Sequence, residues 1–320
     1  MCQPGRVPTS ASTPPVCVLG LGLIGGSLLR AAVAAGREAW GYNRSSEPVE
    51  AARADGFDAS TDLPATLRRA AECDALVVVA VPVPAVGAVL TAVAEHAPHV
   101  ALTDVVSVKS QVAALVAAHG LSARFVGGHP MAGTAESGWS AGFAELFRDA
   151  VWVVTVDDGT DPDVWTQVAD LALDCGSVVV PAESGEHDAA VARVSHLPHL
   201  LAEALALSGA AGGDLALGLA AGSFRDGTRV AGTTPTLVDA MCEGNAPALL
   251  TALDETLEVL RVAREQLADG STAELTAAGH AARRRFEQRN RRPVTGVVPG
   301  DEDWLARLRE AGRRGEVWTR

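Results

Sequence analysis

Four short segments concentrate the side chains that could carry chemistry. Asp104–Ser110 holds Ser107 and Lys109, and Gly127–Thr134 holds His129 and Thr134. Glu186–His199 holds His187, Asp188, His196 and His199, and Gly222–Arg229 holds Arg225, Asp226 and Arg229. Histidine has an ordinary pKa of about 6.5, so a neutral ring can accept the proton of an alcohol near neutral pH. If the carbon bearing that alcohol also gives up hydride, the two transfers together are an oxidation. His129 is the candidate for this role. Lys109 is conspicuous for another reason: of the 26 basic residues it alone is lysine and the other 25 are arginine. A solitary lysine in an arginine-biased chain hints at a position that takes a compact ammonium and not a guanidinium fork.

A hydride needs an acceptor, and Val16–Ser27 supplies its site. Gly20, Gly22 and Gly25 form a G-x-G-x-x-G spacing directly after an apolar strand and directly before a helical run that opens on Leu23 and Ile24. In that context the first glycine permits a tight turn, the second clears the path of a pyrophosphate, and the third lets helix and strand pack closely. The anion then meets free N–H groups at the helix N-terminus. Where an NAD site usually presents a carboxylate to the ribose at the end of the second strand, this chain has Asn43, Arg44 and Ser45. Nothing there repels a 2′-phosphate, so NAD or NADP is expected, with a slight lean to NADP and dual use open.

The elements that must position these residues fall into two parts. From Val16 to about Pro181, β-branched runs alternate with Ala-rich helical stretches, the pattern of parallel strands joined by crossover helices. Strands are expected at Val16–Gly20, Glu38–Tyr42, Ala75–Val81, Val100–Val106, Phe125–Gly128, Val151–Val156 and Ser177–Val180. Ser107 and His129 then lie just past carboxyl ends of strands, where an open α/β sheet exposes its site. After Pro181 only helical patterns continue, to about Gln288, and Leu197–Leu207 and Leu215–Ala221 are too apolar for the surface of a monomer. The expected fold is α/β: a Rossmann-type doubly wound sheet over 16–181, then an all-helical substrate and dimerisation domain over 182–320, making a homodimer. Residues 1–15, rich in Pro, Ser and Thr and lacking an apolar core, read as a disordered leader and not a signal peptide.

Composition narrows the partners. A formal charge of -13 disfavours unspecific binding to nucleic acid or to an acidic membrane. The apolar Val16–Ala35 stretch is broken by Arg30 and its glycines and is not read as a membrane span. Five scattered cysteines without a C-x-x-C pair suggest neither a disulfide framework nor a zinc site, and point to a reducing, cytoplasmic setting with a small-molecule substrate. The arginines at 283–285 and 289–292 are read as a solvated helix end, with a phosphate-binding patch as the alternative.

The glycine loop and the four clusters, in this order, resemble the prephenate/arogenate dehydrogenase family of tyrosine biosynthesis over roughly Val16 to Ala282. The resemblance implies NAD(P)-dependent oxidation of the ring 4-hydroxyl of prephenate with loss of the ring carboxylate, giving 4-hydroxyphenylpyruvate. It implies that His129 accepts the hydroxyl hydrogen bond, Ser107 orients the hydroxyl, and His196 contacts the substrate from the helical domain. It further implies that Arg229 binds a substrate carboxylate, that Arg225 and Asp226 belong to the substrate site, Asp226 orienting a neighbouring arginine, with a purely structural role as the alternative, that Thr134 lines the site, and that Lys109 either sits near substrate or closes a helix N-terminus. His187 and Asp188 could simply cap the helix carrying His196, and His199 reads as a core residue. After Thr134 the family often has an acidic residue, whereas here Ala135 precedes Glu136. No stretch up to Arg320 has the alternating pattern of a regulatory ACT domain, and no chorismate mutase segment precedes the loop, so feedback control through such modules is not expected. The alternatives are arogenate as substrate, a β-hydroxyacid dehydrogenase, whose lysine on the second domain's first helix has no counterpart after Lys109, and a non-catalytic NADP-binding sensor.

Overall fold

The computed structural model describes residues 13–134 and 136–320. Most of the expected leader, and Ala135, lie outside the described residues; the leader's last residue, Pro15, already accepts a hydrogen bond from Leu76 N at 2.9 Å.

Strands β1 (Val16–Leu19), β2 (Ala39–Tyr42), β3 (Ala59–Ser60), β4 (Leu76–Val79), β5 (Leu102–Asp104) and β6 (Phe125–Val126) form one parallel sheet in the order β3-β2-β1-β4-β5-β6. The order reverses between β1 and β4, so a crevice opens beyond their carboxyl ends, the usual place for a ligand in this architecture. Helices α1 (Leu23–Ala34), α2 (Ser46–Ala54), α3 (Leu63–Glu72), α4 (Val83–His96) and α5 (Ser110–Ala118) connect the strands. β1 and β4 are fully buried, which explains their unbroken apolar runs. The two-residue β3 was not legible as a strand, because Ala59 and Ser60 give too short a pattern.

The segment expected as a single strand, Phe125–Gly128, is split at Gly127. β6 stays in the parallel sheet, while β7 (Gly128–Pro130) pairs antiparallel with β8 (Val151–Thr155), which pairs parallel with β9 (Val178–Ala182). The strands expected at 151–156 and 177–180 therefore build a second, three-stranded sheet. His129 lies inside β7 and not beyond a strand end. Gly128 makes the split possible: a Cβ there would fall 2.7 Å from Asp104 O and 2.9 Å from Trp152 Nε1.

After α6 (Pro162–Asp174) and β9, the helical part begins with α7 (Ser184–Val191), α8 (Leu197–Ala211), α9 (Gly213–Gly218), α10 (Gly222–Thr228), α11 (Pro235–Gly244), α12 (Ala246–Ala268) and α13 (Ala273–Glu287). Its core is thin: Ala192, Leu197, Leu249 and Ala252 are its buried apolar cluster. Leu207, Leu215 and Leu219 are more than 70% exposed. On α12, Leu250, Leu257, Leu260 and Leu267 are at least half exposed and recur at heptad-like spacing.

The chain then leaves the helical part, which corrects the expected domain of 182–320. From Pro293 it returns to the first domain, where α14 (Trp304–Arg313) lies on β9 and Trp318 bridges Val179. Trp304 and Trp318 both meet the buried Trp165 of α6 edge-on, at 6.0 and 5.0 Å between ring centroids. Gly312 is required by this packing, since a Cβ there would lie 1.8 Å from Pro181 O.

Candidate active site

The glycine loop has the geometry of a dinucleotide cradle. Gly20 has φ +114°, and a Cβ on it would lie 2.3 Å from Ala80 O; one on Gly25 would lie 1.9 Å from Gly20 O. Gly22, by contrast, faces open space, with nothing within 4 Å of a Cβ. Leu23 and Ile24 open α1, whose N-terminus has no side-chain cap and no acidic residue in its first turn, so its N–H groups and partial positive charge are free for an anion. These features fit a pyrophosphate.

Asn43, expected at the ribose, has a bracing role that sequence reading missed. Its Oδ1 accepts from Leu21 N at 3.0 Å and its Nδ2 donates to Ser45 O at 3.3 Å. Arg44 and Ser45 are exposed at the start of α2.

Around His129 the two domains meet. Its Nδ1 lies 2.8 Å from His187 Nε2, and His187 Nδ1 lies 2.8 Å from Asp188 Oδ1. His129, His187 and Asp188 are all at most 9% exposed. Asp188 does cap a helix, but one in the other domain: its two carboxylate oxygens accept from Lys109 N and Ser110 N, each at 2.8 Å, at the start of α5. His196 sits in a π-helical turn, Ala192–His196, between α7 and α8. Nine residues of plain α-helix amount to about two and a half turns and would set His196 opposite His187. The wider π turn alters that rotation. As a result Asn245, between α11 and α12, reaches both Asp188 O at 2.8 Å and His196 Nδ1 at 3.1 Å with its Nδ2.

Lys109 explains its own rarity. It is 1% exposed, and its ammonium is engaged by the buried carboxylate of Asp104 and by Gly128 O at 2.7 Å. Asp104 also accepts from Val106 N at 3.0 Å and Gly128 N at 3.2 Å. A compact ammonium between a carboxylate and a carbonyl thus grips the residue before His129. The ammonium is therefore engaged within the protein, while the main-chain N–H of the same residue stands at the start of α5. Burial and mutual attraction oppose one another in this pair, and its hydrogen bonds match the charged forms.

The electrostatics leave His129 neutral. Burial, then the nearby His187, Lys109 and His196, hold it well below the usual histidine range against the pull of Asp188. Burial also lowers His187, although Asp188 opposes it, and burial, His187 and His199 bring His196 to about 4. Burial would raise Asp188, but hydrogen bonds from His187 and from the start of α5 outweigh it and hold the carboxyl at about 2.

The remaining candidates lie further out. Ser107, three residues past β5, is half-buried, and Thr134 is on an exposed turn where its Oγ1 accepts from Glu136 N at 3.2 Å. Arg225 and Asp226 on α10 and Arg229 just after it are exposed. None of the three forms an ion pair among the described residues, so the expected orientation of an arginine by Asp226 is not formed here. Arg229 comes close enough to His199 on α8 to act on its charge, and His199 is half-buried, less enclosed than His196. Sequence reading missed Asp104, Asn245 and the joint role of His187 with Asp188. The His-Asp pair was the available signal; Asn245 had none.

A parallel sheet in this order, a free helix N-terminus over an open glycine and a buried histidine chain define a two-domain dinucleotide-binding protein. Family models match in the same division: "Prephenate dehydrogenase, nucleotide-binding domain" over residues 29–181 and "Prephenate dehydrogenase, dimerization domain" over 183–278. A cyclohexadienyl dehydrogenase of Zymomonas mobilis is 35% identical over 79% of this chain and 88% of its own length. A prephenate dehydrogenase of Bacillus subtilis is 32% identical over 75% of this chain and 66% of its own length. The crystal structure of a Corynebacterium glutamicum protein, provisionally named prephenate dehydrogenase, superposes with a TM-score of 0.91 at 51% identity, covering 96% of this chain and 99% of that one. The chain belongs to the prephenate dehydrogenase family.

Proposed function

We propose that the protein is an NAD(P)-dependent prephenate dehydrogenase that converts prephenate to 4-hydroxyphenylpyruvate and carbon dioxide. The observation that carries this reading is His129: buried, neutral and hydrogen-bonded through Nδ1 to His187, it leaves Nε2 as a base with no partner among the described residues. The substrate hydroxyl donates to His129 Nε2 and Ser107 orients it. A dinucleotide held by the Gly20–Gly25 loop and the N-terminus of α1 would supply the hydride acceptor. As the C–H hydrogen leaves with its electron pair, charge develops on the hydroxyl-bearing carbon, the O–H acidifies, and His129 holds its proton. The electrons of the ring C–CO2 bond then enter the ring, carbon dioxide departs, the ring becomes aromatic, and the proton returns to the phenolic oxygen. Substrate oxidation is balanced by the hydride delivered, and no metal is required by this balance. Arg229 anchors a carboxylate at the rim, beside His199.

For the dinucleotide, dual use of NAD and NADP is the reading adopted. The lean to NADP gains no support: Arg44 is exposed and Asn43 is turned in to brace the glycine loop. The dimer is proposed on the match to a dimerization domain and on the uncovered leucines of α8 to α12.

The test is purified protein with prephenate or arogenate, each with NAD or NADP, following nicotinamide reduction. Turnover with prephenate is expected. Reduction with neither substrate under any pairing overturns the enzyme, and turnover with arogenate alone replaces the substrate.

A further inference from the structure

We propose that Asp188 sets the proton positions of two histidines at once, through His187 to His129 and through Asn245 to His196. His129 then presents a bare Nε2 and His196 a protonated one. The first branch follows from donor and acceptor counting. An ionised carboxylate only accepts, and Asp188 already takes two main-chain N–H groups from the start of α5. The proton between it and His187 therefore belongs to His187 Nδ1. A neutral His187 has no second proton, so its Nε2 accepts and His129 Nδ1 must donate. That leaves His129 Nε2 bare.

The second branch uses the main chain of the same residue. Asn245 Nδ2 donates one hydrogen to Asp188 O and has its second directed at His196 Nδ1, which must accept. A neutral His196 then carries its proton on Nε2. An acceptor and a donor are thereby fixed near one another: one for a hydroxyl, the other for an oxygen that accepts.

The arrangement also offers the proton a path. When His129 takes a proton on Nε2, its Nδ1 proton can pass to His187 Nε2, and the resulting imidazolium is paired with Asp188. The charged and titratable groups facing His129 are His187, Lys109, His196 and Asp188, and those facing His187 are His129, Asp188, Lys109, Asp104 and His196. His187, Asp188 and Asn245 belong to the helical part, whereas His129 and the α5 start belong to the nucleotide-binding part. The carboxylate that orients the base is the one that ties the two domains together, so base polarity and domain docking are a single event. His187 and Asn245 are positioning residues in this scheme.

The inference rests on the proposed role of His129, but its main test needs no substrate. In full-length protein labelled with 15N-histidine, long-range proton–nitrogen correlation at pH 7.5 reads which ring nitrogen is protonated, with His129→Gln, His187→Gln and His196→Gln giving assignments. Protons on Nδ1 of His129, Nδ1 of His187 and Nε2 of His196 are expected. A proton on His129 Nε2 overturns the proposal even if turnover is normal. Kinetically, His187→Phe keeps a ring but breaks the link, and is expected to lower kcat ~100-fold with KM within about threefold. His187→Gln, whose amide oxygen can accept from His129 Nδ1, restores most of that loss. Equal loss in the two variants overturns the orienting role of His187, because an amide can accept the hydrogen bond without taking the proton, and should His187→Phe not fold, the nitrogen spectrum of the unmodified protein decides.

Discussion

On the proposed assignment His129 meets the substrate hydroxyl and not the dinucleotide, so binding and turnover should separate when it is changed. His129→Asn is expected to lose about 100-fold or more in kcat, the range of general-base catalysis, while dinucleotide affinity measured by calorimetry stays within about twofold. Retained turnover would exclude it as the base. Arg229→Ala should chiefly raise KM for substrate, because an exposed guanidinium that holds a carboxylate contributes to binding in ground and transition states alike. An unchanged KM removes it as the anchor. The buried histidines also set the pH dependence of stability. His129, His187 and His196 are held below their ordinary value when folded. In the unfolded chain each takes up a proton as pH falls through about 6.5. The unfolded state therefore binds more protons, and stability present above that pH is lost below it, at up to ~1.4 kcal/mol per pH unit for each proton. Asp188 adds a further loss between its unfolded value of 3.8 and about 2. Denaturant midpoints from pH 7.5 to pH 5 should fall steadily; a flat profile would mean these rings are protonated in the native state.

At the scale of elements, the junction of β1 and α1 separates two glycine functions that share one motif. Gly25 is where helix and strand touch, and a methyl group there meets Gly20 O. Gly25→Ala should cost at least ~1–3 kcal/mol of stability, as overpacking does, and weaken the dinucleotide as well. Gly22 faces open space. Gly22→Ala should leave the thermal midpoint nearly unchanged and weaken dinucleotide binding alone. Thermal melts and titrations of the two variants check this contrast, and equal destabilisation would contradict it. The π turn at Ala192–His196 is the other element with a direct consequence, since it brings His196 round to Asn245.

For the whole molecule, the two domains differ in how they are stabilised. The first domain has a deep core, and the segment from Pro293 closes it by placing Trp304 and Trp318 against Trp165. The helical domain has a small core and an uncovered leucine stripe, an arrangement that association would complete. The double substitution Leu257→Glu and Leu260→Glu on α12 should convert a dimer to monomer in sedimentation, because it sets charges into the stripe. An unchanged sedimentation coefficient would move the interface to another face.

By itself the sequence determined the features that depend on local order along the chain: the glycine turn, the apolar strands β1, β2, β4 and β5, and the change to helices after Pro181. These were legible because periodicity, turn chemistry and motif spacing act over a few residues. The tertiary structure alone decided the rest. It split the sheet at Gly127, sent the chain from Pro293 back to the first domain, buried Lys109 beside Asp104, and set Asp188 against a helix of the other domain. The physical reason is sequence distance: His129 and His187 are 58 positions apart, and Lys109 and Asp188 are 79 apart. A hydrogen bond between such residues is a property of how two domains dock, and no window along the chain contains both partners.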